Sequence, residues 1–376
     1  MVLDLKKINT PCYIVNERKL IQNLEILKKV EKEAGCSILL AQKAFSMFSV
    51  YPLISRYISG TAASGLYEAK LGYEYMKKEN HIYSPAYKEE EFDEILKICD
   101  HIIFNSFSQW DKFKNKALKC SRQFGMRINP EYSTQDHAIY DPCSPYSRLG
   151  VTKKNFREDM LEGISGLHFH TLCEQNSDAL IDTIKAVEEK FGKYLKHMKW
   201  VNFGGGHHIT KQGYNIDALI SCIKDFKQRY DLKVYLEPGE AIALDAGYLA
   251  AKVMDIIQND MDIAILDTSA ACHMPDVLEM PYRPIVIKSG KPYEKKYTYR
   301  FAGPTCLAGD VIGDYSFDSE LKINDTVLFN DMAIYTMVKN NTFNGIALPS
   351  IYLLKTDSSF ELIKKFSYDD FKNRLS

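Results

Sequence analysis

The sequence lacks the marks of several protein classes. Its nine cysteines, at 12, 36, 99, 120, 143, 173, 222, 272 and 306, include no C-x-x-C pair, and nine is an odd number. That pattern argues against a disulfide framework or a structural zinc site and points to a reducing compartment. The start, MVLDLKKINTPCYIV, has no apolar signal-peptide core, and no segment approaches the roughly 20 apolar residues of a membrane span. A cytoplasmic protein is expected. Net charge is also nearly absent: the formal value is -1, so total charge gives no reason to expect nucleic acid or an anionic membrane as partner. Low-complexity stretches and linkers rich in Pro, Gly and Ser are missing too.

What is present is an alternation of short apolar runs with longer, charged, helix-periodic runs. The apolar runs 12–15, 38–42, 60–64, 81–84, 102–105, 125–129, 166–171, 200–204 and 234–237 read as strands. Between them 17–33, 65–78, 88–99, 177–191 and 216–230 read as helices. Strands alternating with helices of this length imply βα units and a parallel sheet. Nine strands is one more than a (β/α)8 barrel holds, and 12–15 is the one expected outside it. The competing architecture is an open doubly wound sheet. The barrel is preferred because polar residues recur at strand C-terminal ends, where barrel sites form: Lys43, Ser64, Arg127, His170, Gly204–Gly206 and Glu237.

After about residue 240 helical periodicity thins, and 247–257, 263–268, 295–302 and 326–329 read as strands of a second, mainly β domain. The expected division is a barrel over 11–240 and a β domain over 241–376. The first ten residues fit either domain, and 360–375 reads as a closing helix.

Several positions suggest chemistry. Lys43 ends the run SILLAQ; a partly desolvated lysine there can form a Schiff base with an aldehyde, although a lysine after a strand is ordinarily a solvated charge. Gly204-Gly205-Gly206 after WVNF allows close backbone approach to an anion, or is a flexible turn. Glu237 in EPG can keep a pyridine nitrogen protonated, or simply cap the strand end. His168-x-His170 offers two imidazoles on one strand face, either to stack on a flat cofactor or, with His207 and His208, to bind metal. Cys306 in GPTC is a candidate proton donor, though most cysteines are inert. Tyr335 is one of 24 tyrosines, and residue type alone does not select it. Taken together the positions supply an aldehyde trap, an anion cradle, a carboxylate for a ring nitrogen and a stacking ring, which is what pyridoxal phosphate needs.

The combination of AQKA, GLHFH, NFGGG, EPGE, GPTC and DMAIYT resembles the barrel-type pyridoxal-phosphate decarboxylases, the group that contains the ornithine and diaminopimelate decarboxylases. The resemblance runs from TPCYIV to the TFNG segment near 345. It implies an alanine-racemase-like barrel plus a β domain in a head-to-tail homodimer with shared active sites. By motif, Lys43 matches the Schiff-base lysine and His170 the histidine stacked on the ring. Gly204, Gly205, Gly206 and Tyr335 match phosphate contacts. Glu237 matches the partner of the pyridine nitrogen, Arg127 an arginine near the ring hydroxyl, and Cys306 a cysteine that the partner subunit contributes. Three departures stand out: Glu240 replaces an arginine after E-P-G, His170-Thr171-Leu172-Cys173 replaces H-x-G-S, and Leu307 replaces an acid after the GPxC cysteine.

The implied reaction breaks the Cα–carboxylate bond of an amino acid, with a proton returned to Cα from Cys306 or Lys43. The implied substrate is a long triamine bearing one α-carboxylate. Its ammonium groups need acidic or aromatic partners, and Glu240, Asp276, Glu279 and Tyr282 are candidates, with Arg283 facing a carboxylate. Diaminopimelate or ornithine as substrate, a metal-dependent hydrolase using His168, His170 and His207, and an inactive homologue are the alternatives. The last is disfavoured because Lys43 is present.

Overall fold

The computed structural model describes residues 5, 8–135 and 138–376. The chain forms two compact units: residues 23–242, and 243–376 together with the described residues up to 22.

In the first unit eight parallel strands close into a barrel, in the order 37–41, 60–63, 79–83, 101–104, 123–127, 164–168, 200–202 and 233–236. The last pairs back to the first through Ser37–Tyr235 and Ile38–Leu236. The expected barrel is therefore the one observed, without an open edge. The strands stop one to three residues earlier than the sequence suggested. The difference matters, because Lys43, His170 and Glu237 lie just beyond strand ends, in the turns that build the mouth. The interior is filled by Leu39, Ala62, Ile103, Trp200 and Tyr235. Room for the Trp200 ring comes from Gly166, where a Cβ would sit 2.0 Å from ring atom Cε2. The helices pack by amphipathic stripes: Ser177–Leu195 buries Leu180, Ile184, Val187 and Phe191 at helical spacing. The 65–78 segment is α-helical over Leu66–Leu71 and π-helical over Gly72–Met76.

The second unit is an eight-stranded sheet. Cys12–Asn16 belongs to it, pairing antiparallel with Gly247–Ala250 and parallel with Ser350–Leu354, as the surplus of one strand required. Leu5 and Ile8 pack with Cys12, Ile14 and Tyr352. The rest of the question which unit the first residues join falls on 1–4, 6 and 7, outside the described residues. Gly247–Asn259 is the longest strand and pairs with three others: Cys12–Asn16, Thr326–Asn330 along its first half and Met261–Leu266 along its second. The expected closing helix over 360–375 is corrected. Phe360–Lys364 is a strand bonded to Ile351–Leu354, and a helix covers only Tyr368–Lys372, started by a capping box of Ser367 and Asp370. The segment FELIK fits a strand as well as a helix by its apolar spacing, and its neighbour strand decides the outcome.

Among the described residues no helix is long and apolar enough to cross a membrane.

Candidate active site

The barrel mouth encloses a cavity of about 500 Å³ lined by Lys43, Tyr83, Arg127, His168, His170 and Glu237, among others. A larger one, about 710 Å³, lies in the sheet unit and touches none of the residues singled out from the sequence.

Lys43 stands in the turn after Ser37–Ala41. Its side chain opens onto the cavity, so by surface it counts as exposed, yet the cavity walls enclose it. Enclosure is the main cause that pushes its ammonium pKa down, and the Arg127 charge adds to it; Glu237 and Glu68 oppose. A lysine so destabilised as a cation is closer to a neutral nucleophile.

Arg127 ends its strand and is 3% exposed. Its Nη2 donates to His170 O at 3.1 Å, and its guanidinium lies 4.5 Å from the centre of the Tyr83 ring. Glu237 follows Lys233–Leu236. Burial pushes its carboxyl pKa up, but the nearby His168 and His81 and the Asn202 amide outweigh it and hold the group ionised. Asn202 Nδ2 donates to Glu237 Oε1 at 2.6 Å, while Asn202 Oδ1 accepts the Gly204 N–H at 2.8 Å. One side chain thus ties the carboxylate to the glycine turn. His168 Nε2 lies 3.4 Å from Glu237 Oε2; burial pushes its imidazole pKa down, against the pull of the Glu237 carboxylate.

His170 lies two residues past its strand. Its Nδ1 is 3.1 Å from both the oxygen and the nitrogen of Gly205. Burial, then the Lys43 charge, drive its pKa well down. The neutral ring with Nδ1 unprotonated accepts the Gly205 N–H, which fixes the plane. The glycine turn tolerates no side chain. Gly204 and Gly206 have φ of 71° and 82°, and a Cβ on Gly206 would lie 2.0 Å from Leu172 O.

The metal reading of the histidines is not supported by geometry. Among the described residues the groups of three potential ligands are Glu79, His81, His101 and Glu174, His208, Glu240; His168, His170 and His207 form none. In the first group both imidazole Nε2 atoms lie 3.2 Å from Glu79 Oε1. Their rings stack 4.0 Å apart at 8° over that shared carboxylate oxygen. Tyr235 OH also donates to Glu79 Oε1, at 2.5 Å. The group is a hydrogen-bonded plug inside the barrel.

The remaining candidates fall elsewhere. Glu240 is bound to His208 Nε2 at 2.6 Å. In the sheet unit, Asp276 and Glu279 both bind Lys339, Glu279 at 2.7 Å. Arg283 donates to Asp314 O at 3.1 Å and stacks 4.8 Å from the Tyr315 ring centre, so its charge already faces carbonyl oxygen and ring. Tyr282 is 45% exposed. Cys306 is exposed, with its N–H donating to Asn344 Oδ1 at 2.7 Å. Its loop wraps the buried Asp310, which accepts from Ser269 Oγ and Thr305 Oγ1 at 2.9 and 2.6 Å. Tyr335 is half-buried, with φ 53°.

The family model for pyridoxal-dependent decarboxylases, described as their C-terminal sheet domain, matches residues 12–333. The chain belongs to the pyridoxal-dependent decarboxylases. Carboxynorspermidine/carboxyspermidine decarboxylase from Campylobacter jejuni is 47% identical to it, over 98% of this chain and 99% of the relative. Carboxyaminopropylagmatine decarboxylase from Synechocystis is 41% identical, over 99% and 96%. A solved structure of the Campylobacter jejuni carboxynorspermidine decarboxylase with norspermidine superimposes with a TM-score of 0.92 at 46% identity, covering 98% of this chain and all, 100%, of the other. Diaminopimelate decarboxylase from Helicobacter pylori shares the fold, with a TM-score of 0.84 at 18% identity over 98% of both chains.

Pyridoxal phosphate is the cofactor of this decarboxylase family, and the cavity fits it. A lysine without a hydrogen bond or ion pair among the described residues, an ionised carboxylate and an imidazole held against the glycine turn line one cavity. Sequence reasoning missed three contributors. Asn202 precedes the glycines in WVNFGGG, a buried amide in an apolar strand, and that signal was legible. Tyr83 was hidden among 24 tyrosines. Glu68, whose Oε2 accepts the Ser64 N–H at 2.6 Å, has no signal beyond its type.

Proposed function

We propose that this decarboxylase removes the α-carboxylate of carboxynorspermidine and carboxyspermidine, yielding norspermidine and spermidine in polyamine biosynthesis. The observation that carries the reading is an enclosed Lys43 and an ionised Glu237 sharing one cavity, in a chain 47% identical to an enzyme of that name. The 41% identity to carboxyaminopropylagmatine decarboxylase favours a second reading, in which the chain beyond the reacting carbon is a guanidine.

When bound, the cofactor accepts the electron pair left by the departing carboxylate. The residues supply the rest. Lys43, depressed towards its neutral form, would hold the cofactor's aldehyde carbon. Glu237, held ionised, would favour the protonated form of the cofactor's ring nitrogen. His170 would cover a ring face, Arg127 would border the ring hydroxyl and Gly204–Gly206 would take the phosphate, for which Tyr335 is a further candidate by motif. Cys306 Sγ or Lys43 Nζ would be the source of the proton returned to Cα. Glu240, Asp276, Glu279, Tyr282 and Arg283 were the sequence's choices for substrate contacts; the ion pairs of the first three make them poor receivers of a further ammonium. The cofactor would be held by the barrel unit, residues 23–242. The enzyme is a cytoplasmic homodimer in which Cys306 serves the partner's site, in keeping with its exposed place in the sheet unit.

The test is carbon dioxide release from carboxynorspermidine, carboxyspermidine, carboxyaminopropylagmatine, diaminopimelate and ornithine in parallel, with the visible cofactor absorbance recorded for wild type and Lys43→Ala. Release from the two carboxylated triamines, and loss of the band in the variant, are expected. Preference for ornithine or diaminopimelate, or a band that survives the substitution, refutes the reading. The two triamines differ by one methylene, worth roughly 1–3 kcal/mol in a pocket, so both are expected to react.

A further inference from the structure

The acids that the sequence offered for the distal ammonium groups are engaged: Asp276 and Glu279 by Lys339, Glu240 by His208. The cavity itself holds another. Segment 139–149 forms a wall of the space containing Lys43 and Glu237, and Tyr140, Asp141 and Tyr146 line it. Asp141 Oδ1 accepts the Cys143 N–H at 2.8 Å, which orients the carboxylate, and no ion pair engages it among the described residues. Tyr140 is 41% exposed and Tyr146 fully so. Aromatic faces at a cavity mouth beside a carboxylate form a receptor for an alkylammonium: the carboxylate supplies charge-assisted hydrogen bonds and the ring faces a cation–π surface. Arg148 lines the same wall and repels an ammonium, so the cation is drawn to the Asp141 end of the segment.

We propose that Asp141, with the ring faces of Tyr140 and Tyr146, takes the terminal ammonium of the substrate and so sets the preference for a polyamine chain over a short amino acid. This rests on the functional reading above. It places specificity on the loop after strand 123–127 rather than on the acids of the sheet unit.

The test uses the holoenzyme. Asp141→Asn keeps the oxygen that accepts the Cys143 N–H and removes the charge. With the carboxylated polyamine that wild type decarboxylates, KM is expected to rise about tenfold or more while kcat stays within about threefold, the signature of lost binding outside the reacting centre. Visible cofactor absorbance stays unchanged. An analogue whose terminal amine is replaced by methyl is expected to show the same KM in both proteins. Tyr146→Leu is expected to raise KM by a smaller factor. A wild-type KM in Asp141→Asn overturns the inference, as does an equal loss with the methyl analogue. If wild type releases no carbon dioxide from any carboxylated polyamine, the functional reading falls and takes this inference with it; activity with unmoved KM removes this inference alone.

Discussion

The glycine turn yields the sharpest quantitative expectation. Gly206→Ala puts a Cβ 2.0 Å from Leu172 O, about 1.4 Å short of the 3.4 Å at which ordinary contact begins, on a backbone with φ of 82°. Gly213 in the same unit has φ of 85° and open space around its missing Cβ, so Gly213→Ala meets the backbone strain without the clash. A left-handed alanine costs about 1–2 kcal/mol, offset by roughly 0.4–1 kcal/mol from the stiffer unfolded chain, so Gly213→Ala should lose about 1 kcal/mol. Gly206→Ala adds an overpacking penalty of about 1–3 kcal/mol, because a backbone carbonyl must move. Both tryptophans, Trp110 and Trp200, are buried in the barrel unit, so tryptophan emission during urea unfolding reports that unit. Cofactor affinity should separate the variants further: Gly206→Ala should weaken pyridoxal phosphate more than pyridoxal, and Gly213→Ala should leave the ratio alone. Equal urea midpoints for the two variants, with an unchanged affinity ratio, would falsify the idea that this turn is shaped for the phosphate.

Two further expectations concern charge. His273 is fully buried, its Nδ1 accepting from Thr268 Oγ1 at 3.0 Å and its Nε2 donating to Ala347 O at 3.1 Å. Burial lowers its pKa from 6.5 to about 4. Below 6.5 the unfolded chain binds the proton that the folded chain refuses, so this residue's contribution falls as pH drops from about 6.5 towards 4, by roughly 2–3 kcal/mol at pH 4.5. Urea unfolding followed by circular dichroism at pH 7.5 and 4.5 should show that decrement shrinking in His273→Gln; an identical decrement in the variant refutes the assignment. Glu237→Gln should retain cofactor but lower carbon dioxide release about tenfold or more, since the anion opposite the ring nitrogen is gone; undiminished kcat would remove Glu237 from the chemistry.

The barrel was legible because βα alternation is a local property: each helix announces its stripe and each strand its apolar run. Strand ends were not, since Gln42 and Phe169 are apolar-neighboured residues just past their strands whose N–H groups still bond across to Ala62 O and Asn202 O. The tail was misjudged for a related reason: FELIKK permits either period, and pairing to Ser350–Leu354 selects the strand. Lys43, His170, Glu237 and the glycines were recognisable because each closes a motif. Asp141 was not: its only distinction is the cavity that folding wraps around it.

The sequence by itself determined which residue types stand at the ends of successive strands, and hence that a lysine, a histidine, a glycine triplet and a glutamate would converge once the strands closed. The tertiary structure decided which acids remain available. Ion pairs between residues distant in sequence, such as Lys339 with Asp276 and Glu279, engage some carboxylates and leave Asp141 facing the cavity. Charge is written in the chain, but its neutralisation depends on distances that exist only after folding.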